Sequence, residues 1–498
     1  MMGWDMRVTL WIVLTALIAG LSGCGGGSNS SPTYTVSGTV DHLSSSGLTL
    51  TNGTTTLSIA SGATSFAFPD QLPNGTAYQI SVASQPAGEN CLVSQGGGIV
   101  AAANVGNVDV QCNTVISSPS AIGIYPVATA SDGYSHAYVP VTMVGNNKVS
   151  INAALDTGSS GVVLNALDLF PSSVVTADGF VGLNPPILPD TIQTITYNGI
   201  TVTNIVLETT LNDEGAGFNV GWFGAVTNPP AIFAIGNLGF AQVSFGSAGQ
   251  ITTSVIPILF VYQVLVQGAA VSPDTVTSNI FGVNPSLTTM YQRGSHISSV
   301  AVCNTAPSAS SACGLLSPLR SLTYASTVDP GYVLQPFTLQ NCTLGTPGSC
   351  SAVPSLQVGV TPAVTAGFTA VALSCSQLPS GTSAPSVKIC SQVVSPSTVA
   401  FAGSSTSTAS VIVNTGNSGM MMGTVNLTGF PATISAGTPI SVTMGPAFNY
   451  SFTAGTGNFA TTLTPQLNSG VELTDIGIGF FATHAMFVDY QAGTEGWK

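Results

Sequence analysis

The order of apolar and polar residues in the first part of the chain predicts short β-strands separated by turns. Between residues 34 and 112, apolar and polar positions alternate in short runs, which is typical of strands with one buried face. Asn52-Gly53 lies between two runs and is a strong signal for a hairpin turn. The predicted strands are 34–40, 48–50, 56–59, 66–68, 78–82 and 108–110. We therefore expect residues 33–113 to form a small β-sandwich that serves as a spacer.

The remaining chain, residues 125–498, contains one sequence pattern twice. Three apolar residues, a polar turn with glycine, and three more apolar residues occur at 153–164 and again at 411–422. The turn residues are Asp156, Thr157, Gly158 and Ser159 in the first copy and Asn414, Thr415, Gly416 and Asn417 in the second. Glycine lets two backbones approach closely, so the turns can face each other across two lobes. We expect lobe 1 at about 125–285, and insertions with lobe 2 at about 286–498.

Composition supports an all-β fold and narrows the set of partners. Hydrophobic residues make up 44% of the chain and charged residues 5%, with 56 Gly and 30 Pro, which favours strands and turns over helical bundles. The formal net charge is −13, so phosphate backbones are repelled and no nucleic-acid partner is expected. The sequence has no CxxC pair, His/Cys cluster, phosphate-binding loop or dinucleotide motif, and we expect no metal and no cofactor.

The first residues predict export and a lipid anchor. Arg7 and the apolar run 8–19 indicate a signal peptide at 1–23, because the run is too short to span a bilayer. The junction Leu21-Ser22-Gly23-Cys24 resembles the bacterial lipobox, which implies cleavage before Cys24 and attachment of diacylglycerol to its sulfur. A plain secreted protein is the alternative. Residues 24–32 are predicted to be a flexible tether, and Gly25 after the cysteine favours the outer membrane in a Gram-negative cell envelope.

The other eight of the nine cysteines suggest disulfides. An even number in an exported chain is typical of bridges, although eight cysteines allow on the order of a hundred connectivities. Nearness in sequence favours the pairs Cys91 with Cys112, Cys303 with Cys313, Cys342 with Cys350 and Cys375 with Cys390.

The first polar turn resembles the active-site loop of pepsin-like aspartic proteases. Asp156 begins the sequence Asp-Thr-Gly-Ser-Ser-Gly, and other stretches resemble further parts of that family. These are two apolar elements with glycine at 280–283 and 476–479, a strand pair around Asn198-Gly199 at 195–208, and last strands at 474–481 and 486–490. The resemblance covers roughly residues 125–498. It implies a bilobal β-domain in which one carboxylate from each lobe shares a proton and activates a water.

The sequence departs from that family at two places. Asn414 stands at the position of the second aspartate and cannot ionise, so the resemblance implies a pseudo-dyad of Asp156 and Asn414. No Tyr or Trp occurs between Asp156 and Tyr197, although the family carries a tyrosine in the flap over its cleft. The chain resembles bacterial lipoproteins of unassigned function that carry this motif, and its residues 33–113 resemble Ig-like or carboxypeptidase-regulatory-like modules.

The sequence leaves alternatives open for the site and for the function. Asp156 either takes part in chemistry or caps its own turn, a common use of Asp in glycine-containing turns, and Asn414 is expected to be a hydrogen-bond partner across the lobes. We favour a lipid-anchored binding protein for peptide or polymer ligands with a degenerate site, because a lone carboxylate lacks the help of a general acid. The alternative is an aspartic endopeptidase with an acid optimum that uses Asp156.

Overall fold

A computed structural model gives the architecture of the chain. The described residues are 31–130, 134–184, 192–211, 232–247, 249–266, 268–275, 279–289, 291–292, 314–378, 387–401, 407–423, 435–445, 448–454, 463–466 and 473–498. Strands dominate them, and the prediction of an all-β fold, with a small β-sandwich followed by a β-domain of two lobes, is confirmed. The leader, with Cys24, lies outside the described residues.

The N-terminal module consists of two sheets that enclose a common core of side chains such as Leu50, Ile80 and Val110. One sheet contains Glu89–Ser94, Val105–Ile116, Val36–Asp41 and Ser65–Ala67, the other contains Thr55–Ser58, Thr49–Asn52, Ala77–Ser84 and Gly97–Ile99, and Thr33–Tyr34 pairs with Leu72–Pro73. The predicted hairpin is present, because Asn52 pairs with Thr55 around Gly53, which has a φ of 59°.

The module is docked on the rest of the protein. Its last strand, Val105–Ile116, runs on past the sandwich and pairs in parallel with Thr323–Tyr324. The Nε2 atom of Gln242 donates to the carbonyl oxygen of Cys112 at 2.9 Å. The spacer is therefore held against lobe 1 by hydrogen bonds.

Lobe 1 is built from strands that curve around a large apolar core. Its strands are His136–Val144, Asn147–Asp156, Ser160–Asn165, Val175–Thr176, Gly179–Phe180, Thr194–Tyr197, Ile200–Leu211, Ile232–Ala241, Val243–Phe245, Ile251–Thr252, Ile256–Val266, Ala269–Val271, Ile280–Val283 and Tyr291–Gln292, with the α-helix Ala166–Leu169 and the 3-10 helix Pro273–Thr275. The predicted strand pair around Asn198 and Gly199 is confirmed, and both of these residues have positive φ, as a tight hairpin requires.

Lobe 2 repeats the central part of lobe 1 on a smaller scale. Its sheet contains Phe448–Thr453, Pro439–Met444, Val394–Phe401, Ser407–Val413, Leu473–Ile476, Met420–Gly423 and Leu463–Gln466 in spatial order, followed in sequence by the 3-10 helix Ile478–Ala482. In each lobe the strand before the polar turn pairs in parallel with the apolar closing element, and the strand after the turn pairs with that element antiparallel.

A six-stranded sheet joins the two lobes. Its strands, in spatial order, are Ser120–Val127, Val353–Val360, Asp329–Leu334, Met486–Asp489, Thr494–Trp497 and Thr369–Ala372. Three of them come from the stretch in which we expected insertions, so that stretch contributes to the central architecture. The remaining elements between the lobes are Thr288–Thr289, Gly314–Leu315, the 3-10 helix Pro318–Ser321, Thr323–Tyr324, Ser374–Leu378 and Val387–Ser391.

Three of the four predicted disulfides are confirmed. They are Cys91–Cys112, Cys342–Cys350 and Cys375–Cys390. The first and the third join directly paired residues of neighbouring strands. The fourth pair, Cys303 with Cys313, lies outside the described residues.

Candidate functional site

Asp156 lies at the end of a buried strand and accepts hydrogen bonds from its own turn. One carboxylate oxygen, Oδ1, accepts from the backbone N–H of Gly158 at 2.7 Å and of Ser159 at 3.2 Å. The other, Oδ2, accepts from the hydroxyl of Ser159 at 2.5 Å. The side chain is fully buried. The turn therefore orients a carboxylate with donors that stabilise its negative charge.

Asn414 occupies the equivalent place in lobe 2. Its Oδ1 accepts from the backbone N–H of Gly416 at 2.8 Å, as Asp156 does from Gly158. It also accepts from the N–H of Gly158 at 3.1 Å, across the lobe boundary. Asp156 and Asn414 therefore share one backbone donor, and the two side chains that the sequence paired meet between the lobes.

Two threonines fasten the turns to each other. The hydroxyl of Thr157 donates to the carbonyl oxygen of Val413 at 2.8 Å, and that of Thr415 donates to the carbonyl oxygen of Leu155 at 2.6 Å. Each hydroxyl also accepts the backbone N–H of the other threonine, at 3.0 and 3.1 Å. All four bonds are buried, so the geometry of the pair is fixed by the backbones of both lobes.

The closing elements pack tightly behind the turns. Asn284 donates its backbone N–H to the carbonyl oxygen of Ser159 at 2.8 Å, and Ile478 donates to that of Asn417 at 2.7 Å. A Cβ atom at Gly282 would lie 2.8 Å from the carbonyl oxygen of Ser159, and one at Gly477 would lie 2.0 Å from that of Gly419. Both glycines are required by these close approaches.

The two turns also differ in their fourth residue, which is Ser159 in lobe 1 and Asn417 in lobe 2. Ser159 bonds the carboxylate of Asp156, whereas the side-chain oxygen of Asn417 accepts from the backbone N–H of Gly419 at 3.1 Å. Asn417 supports the shape of its own turn, and no bond from it to Asn414 through the side chain is present among the described contacts. Asp156 and Asn414 therefore differ in charge, and they also differ in whether the fourth residue of the turn bonds them through its side chain.

A carboxylate that sequence reasoning missed reaches the site from lobe 2. The Nδ2 atom of Asn414 donates to Oδ2 of Asp475 at 3.0 Å, and Asp475 is 7% exposed. In lobe 1, Ile280 stands at the corresponding register position. A comparison of the closing elements, Ile-Phe-Gly in one lobe and Asp-Ile-Gly in the other, would have revealed a charged residue where an apolar one belongs.

A buried polar group lies beneath the first turn. The side chain of Asn284 donates to the carbonyl oxygen of Thr157 at 2.8 Å and to the side-chain oxygen of Gln392 at 2.7 Å. Gln392 lies beside Glu495, which is fully buried. Burial raises the pKa of Glu495 well above its usual value of 4.5, and the neighbouring side chains of Trp497 and Gln392 oppose this rise. Glu495 is therefore a neutral acid at mildly acidic pH.

The tip of the hairpin around Asn198 and Gly199 is packed against lobe 1 and does not project as a flap. The ring of Tyr197 packs on Phe170 with ring centroids 5.6 Å apart. The side-chain nitrogen of Asn198 donates to the side-chain oxygen of Asn147 at 2.8 Å. The backbone carbonyl oxygen of Asn198 accepts from the backbone N–H of Asn146. The tip is thus fastened to the turn before the strand that carries Asp156.

The described residues give little support for a metal site. Their one group of three potential ligands is Glu89, Cys91 and Cys112, and these two cysteines form a disulfide. A disulfide sulfur is not a thiolate, which is the form of cysteine that binds metals.

No helix within the described residues is long and apolar enough to cross a membrane.

Comparisons with known proteins find likenesses of structure and none of sequence. No family model matches the sequence, and no curated protein matches it. Among solved structures, the chain is similar to the crystal structure of aspartic proteinase from Irpex lacteus, with a TM-score of 0.41 and 12% sequence identity, covering 76% of this chain and 97% of that chain.

Proposed function

We propose that this protein binds peptide or polymer ligands between its two lobes through the pair Asp156 and Asn414, and does not hydrolyse them. The observation that carries the proposal is the state of Asn414. Its oxygen accepts two backbone N–H groups and its nitrogen donates to Asp475. An amide held in this way offers no titrating proton, whereas aspartic-type hydrolysis needs two carboxyl groups with separated pKa values.

The chemistry of the pair suits recognition of an amide or a hydroxyl. Asp156 has carboxylate oxygens that are buried and bonded within its own turn, whereas Asn414 is partly exposed and has a second N–H on Nδ2 as a donor beside that carboxylate. A peptide group presents one donor and one acceptor, so it complements such a pair.

A binding measurement tests the proposal. Labelled peptides from a random library are selected on the purified protein, and fluorescence polarisation gives the Kd of the enriched peptides. We expect Asp156→Asn to weaken binding about tenfold, because a charged acceptor is lost without a change of shape. Asp274→Asn is the matched control, since Asp274 bonds Asn165 in lobe 1 away from the turns. Absence of binding, or equal effects of the two variants, would contradict the proposal.

An acid endopeptidase is the second candidate, and one observation favours it. Asp475 gives the site a second carboxyl group within one hydrogen bond of Asn414. Cleavage of internally quenched peptides at acidic pH, abolished in Asp156→Asn, is the result that this candidate requires.

We also propose that Cys24 carries a lipid that anchors the protein in the outer membrane of a bacterial cell envelope. The support is the Leu21-Ser22-Gly23-Cys24 junction after a short apolar run. Cys24→Ser should move the protein from the membrane fraction to the soluble or unprocessed fraction. An unchanged distribution and an unchanged mass of the mature N-terminal peptide would contradict the anchor.

A further inference from the structure

Asp475 is a buried acidic residue at a position where lobe 1 has the apolar residue Ile280. It lies in the strand Leu473–Ile476 and pairs with Ile412, just as Ile280 pairs with Ala154 in lobe 1. Burying a carboxylate is costly unless it receives hydrogen bonds or charge. Asn414 supplies one such bond at 3.0 Å. Lobe 2 thus differs from lobe 1 at two neighbouring positions. It has Asp475 where lobe 1 has Ile280, and Asn414 where lobe 1 has Asp156.

The contact with Asp475 and two backbone donors agree on which way the amide of Asn414 faces. Oδ1 accepts from two backbone N–H groups, those of Gly158 and Gly416. In the flipped orientation, Nδ2 would face these two donors and Oδ1 would face a carboxylate, so all three contacts would be repulsive. Hydrogen-bond networks of this kind decide amide orientation. Asp475 thus binds one N–H of the amide and, together with the two backbone donors, sets the direction of the N–H that remains for a ligand.

We propose that Asp475 is the second carboxyl group of this site, and that it acts as a positioning residue which holds Asn414 as a donor for a carbonyl oxygen of a bound peptide. The inference rests on the proposed binding function and deepens it. Asp475 and Asn414 act as one unit, in which the carboxylate of Asp475 accepts one N–H of the Asn414 amide and the other N–H is available beside Asp156. The unit distinguishes a ligand carbonyl, which accepts, from a ligand N–H, which donates.

Two variants separate an orienting contact from simple packing. Asp475→Leu removes the acceptor and keeps an apolar side chain of similar size, whereas Asp475→Asn keeps an acceptor oxygen. We expect Asp475→Leu to weaken peptide binding about ten- to hundredfold and Asp475→Asn to restore most of the affinity. Asp274→Leu, which breaks the 2.6 Å bond from Asn165 in lobe 1, is the matched control and should leave affinity unchanged. Equal affinity of Asp475→Leu and the unchanged protein would overturn the proposal.

A second readout needs no ligand and therefore separates this inference from the binding function itself. In protein labelled with ¹⁵N-asparagine, the Nδ2 signals of Asn414 are identified by their disappearance in Asn414→Asp. The hydrogen donated to Asp475 should be protected from exchange in the unchanged protein and in Asp475→Asn, and should exchange faster in Asp475→Leu. If these signals are the same in all three proteins, Asp475 does not orient Asn414, whether or not a peptide binds.

Discussion

Thr157 and Thr415 exchange hydrogen bonds across the boundary between the two lobes, each donating its hydroxyl to the strand that carries the other lobe's site residue. Each hydroxyl also accepts the backbone N–H of the opposite threonine. The relationship is reciprocal and buried. These bonds explain how two turns far apart in sequence hold Asp156 and Asn414 next to each other.

Replacing Thr157 with Val should destabilise the protein. The variant keeps the shape of the side chain but leaves the carbonyl oxygen of Val413 and the N–H of Thr415 without this partner in a buried place. We expect the free energy of unfolding to fall by about 2 to 4 kcal/mol, measured by urea denaturation.

The control for this variant is Thr203→Val, which removes a bond of 2.8 Å to the carbonyl oxygen of Leu238 and a bond of 3.2 Å from the backbone N–H of Ile205. Both bonds lie within lobe 1, so neither joins the two lobes. The cost of Thr203→Val should be smaller. An equal loss in the two variants would indicate that the contact between the turns has no special part in joining the lobes.

Glu495 should make the protein less stable as the pH rises. Burial raises the pKa of Glu495 in the folded state above its usual value of 4.5, so the folded protein binds a proton that the unfolded chain releases. The stabilising contribution is complete below pH 4.5 and is lost as the pH rises through the folded-state value, by up to about 1.4 kcal/mol per pH unit.

Glu495→Gln isolates this effect because glutamine is similar in shape and does not titrate. Unfolding by urea at a series of pH values should show a flatter pH dependence for the variant, and a higher stability at neutral pH. Parallel pH curves for the two proteins would mean that Glu495 is not a neutral buried acid.

His42 should have the opposite effect at the contact between the N-terminal module and lobe 1. Burial lowers its pKa, and the charge of Asp41 and the neighbouring hydrogen-bonding groups of Gln242 and Gly145 oppose this only in part. The unfolded chain therefore gains a proton before the folded protein does, and stability is lost as the pH falls below 6.5.

His42→Asn is the appropriate variant, because His42 has a φ of 60° and asparagine accepts the left-handed region. The difference in unfolding free energy between pH 7 and pH 5 should be smaller in this variant than in the unchanged protein. An unchanged difference would contradict a buried neutral histidine at this contact.

Building a two-carboxyl site should require two substitutions. Asn414→Asp alone places a new carboxylate about 3 Å from Asp475, and two carboxylates at that distance share a proton with each other. The double change Asn414→Asp with Asp475→Ile restores the apolar residue of lobe 1 and leaves Asp156 as the partner. We expect acid-optimum hydrolysis of quenched peptides in the double variant and little in the single one. The reverse order of activities would contradict the role given to Asp475.

The sequence predicted the facing pair because local signals repeat. Asp156 and Asn414 lie in matching patterns of apolar residues and turns, and the hairpins at Asn52 and Asn198 depend on residues next to each other in the chain. Such features follow from local backbone chemistry.

What could not be predicted depends on register and topology. Asp475 lies in a short strand whose partner is far away in sequence, and only the pairing with Ile412 turns it towards Asn414. Glu495 lies near the polar C-terminus, where its burial results from a sheet assembled from distant strands. Side-chain environments of this kind are set by tertiary packing.

Peptide hydrolysis at acidic pH tests the central claim most directly. The unchanged protein and Asp156→Asn are incubated with a library of internally quenched peptides from pH 3 to pH 7, and cleavage is followed by fluorescence and by mass spectrometry of the products. The proposed binding function predicts no cleavage by either protein, together with peptide binding that Asp156→Asn weakens. Cleavage by the unchanged protein that disappears in Asp156→Asn would contradict it.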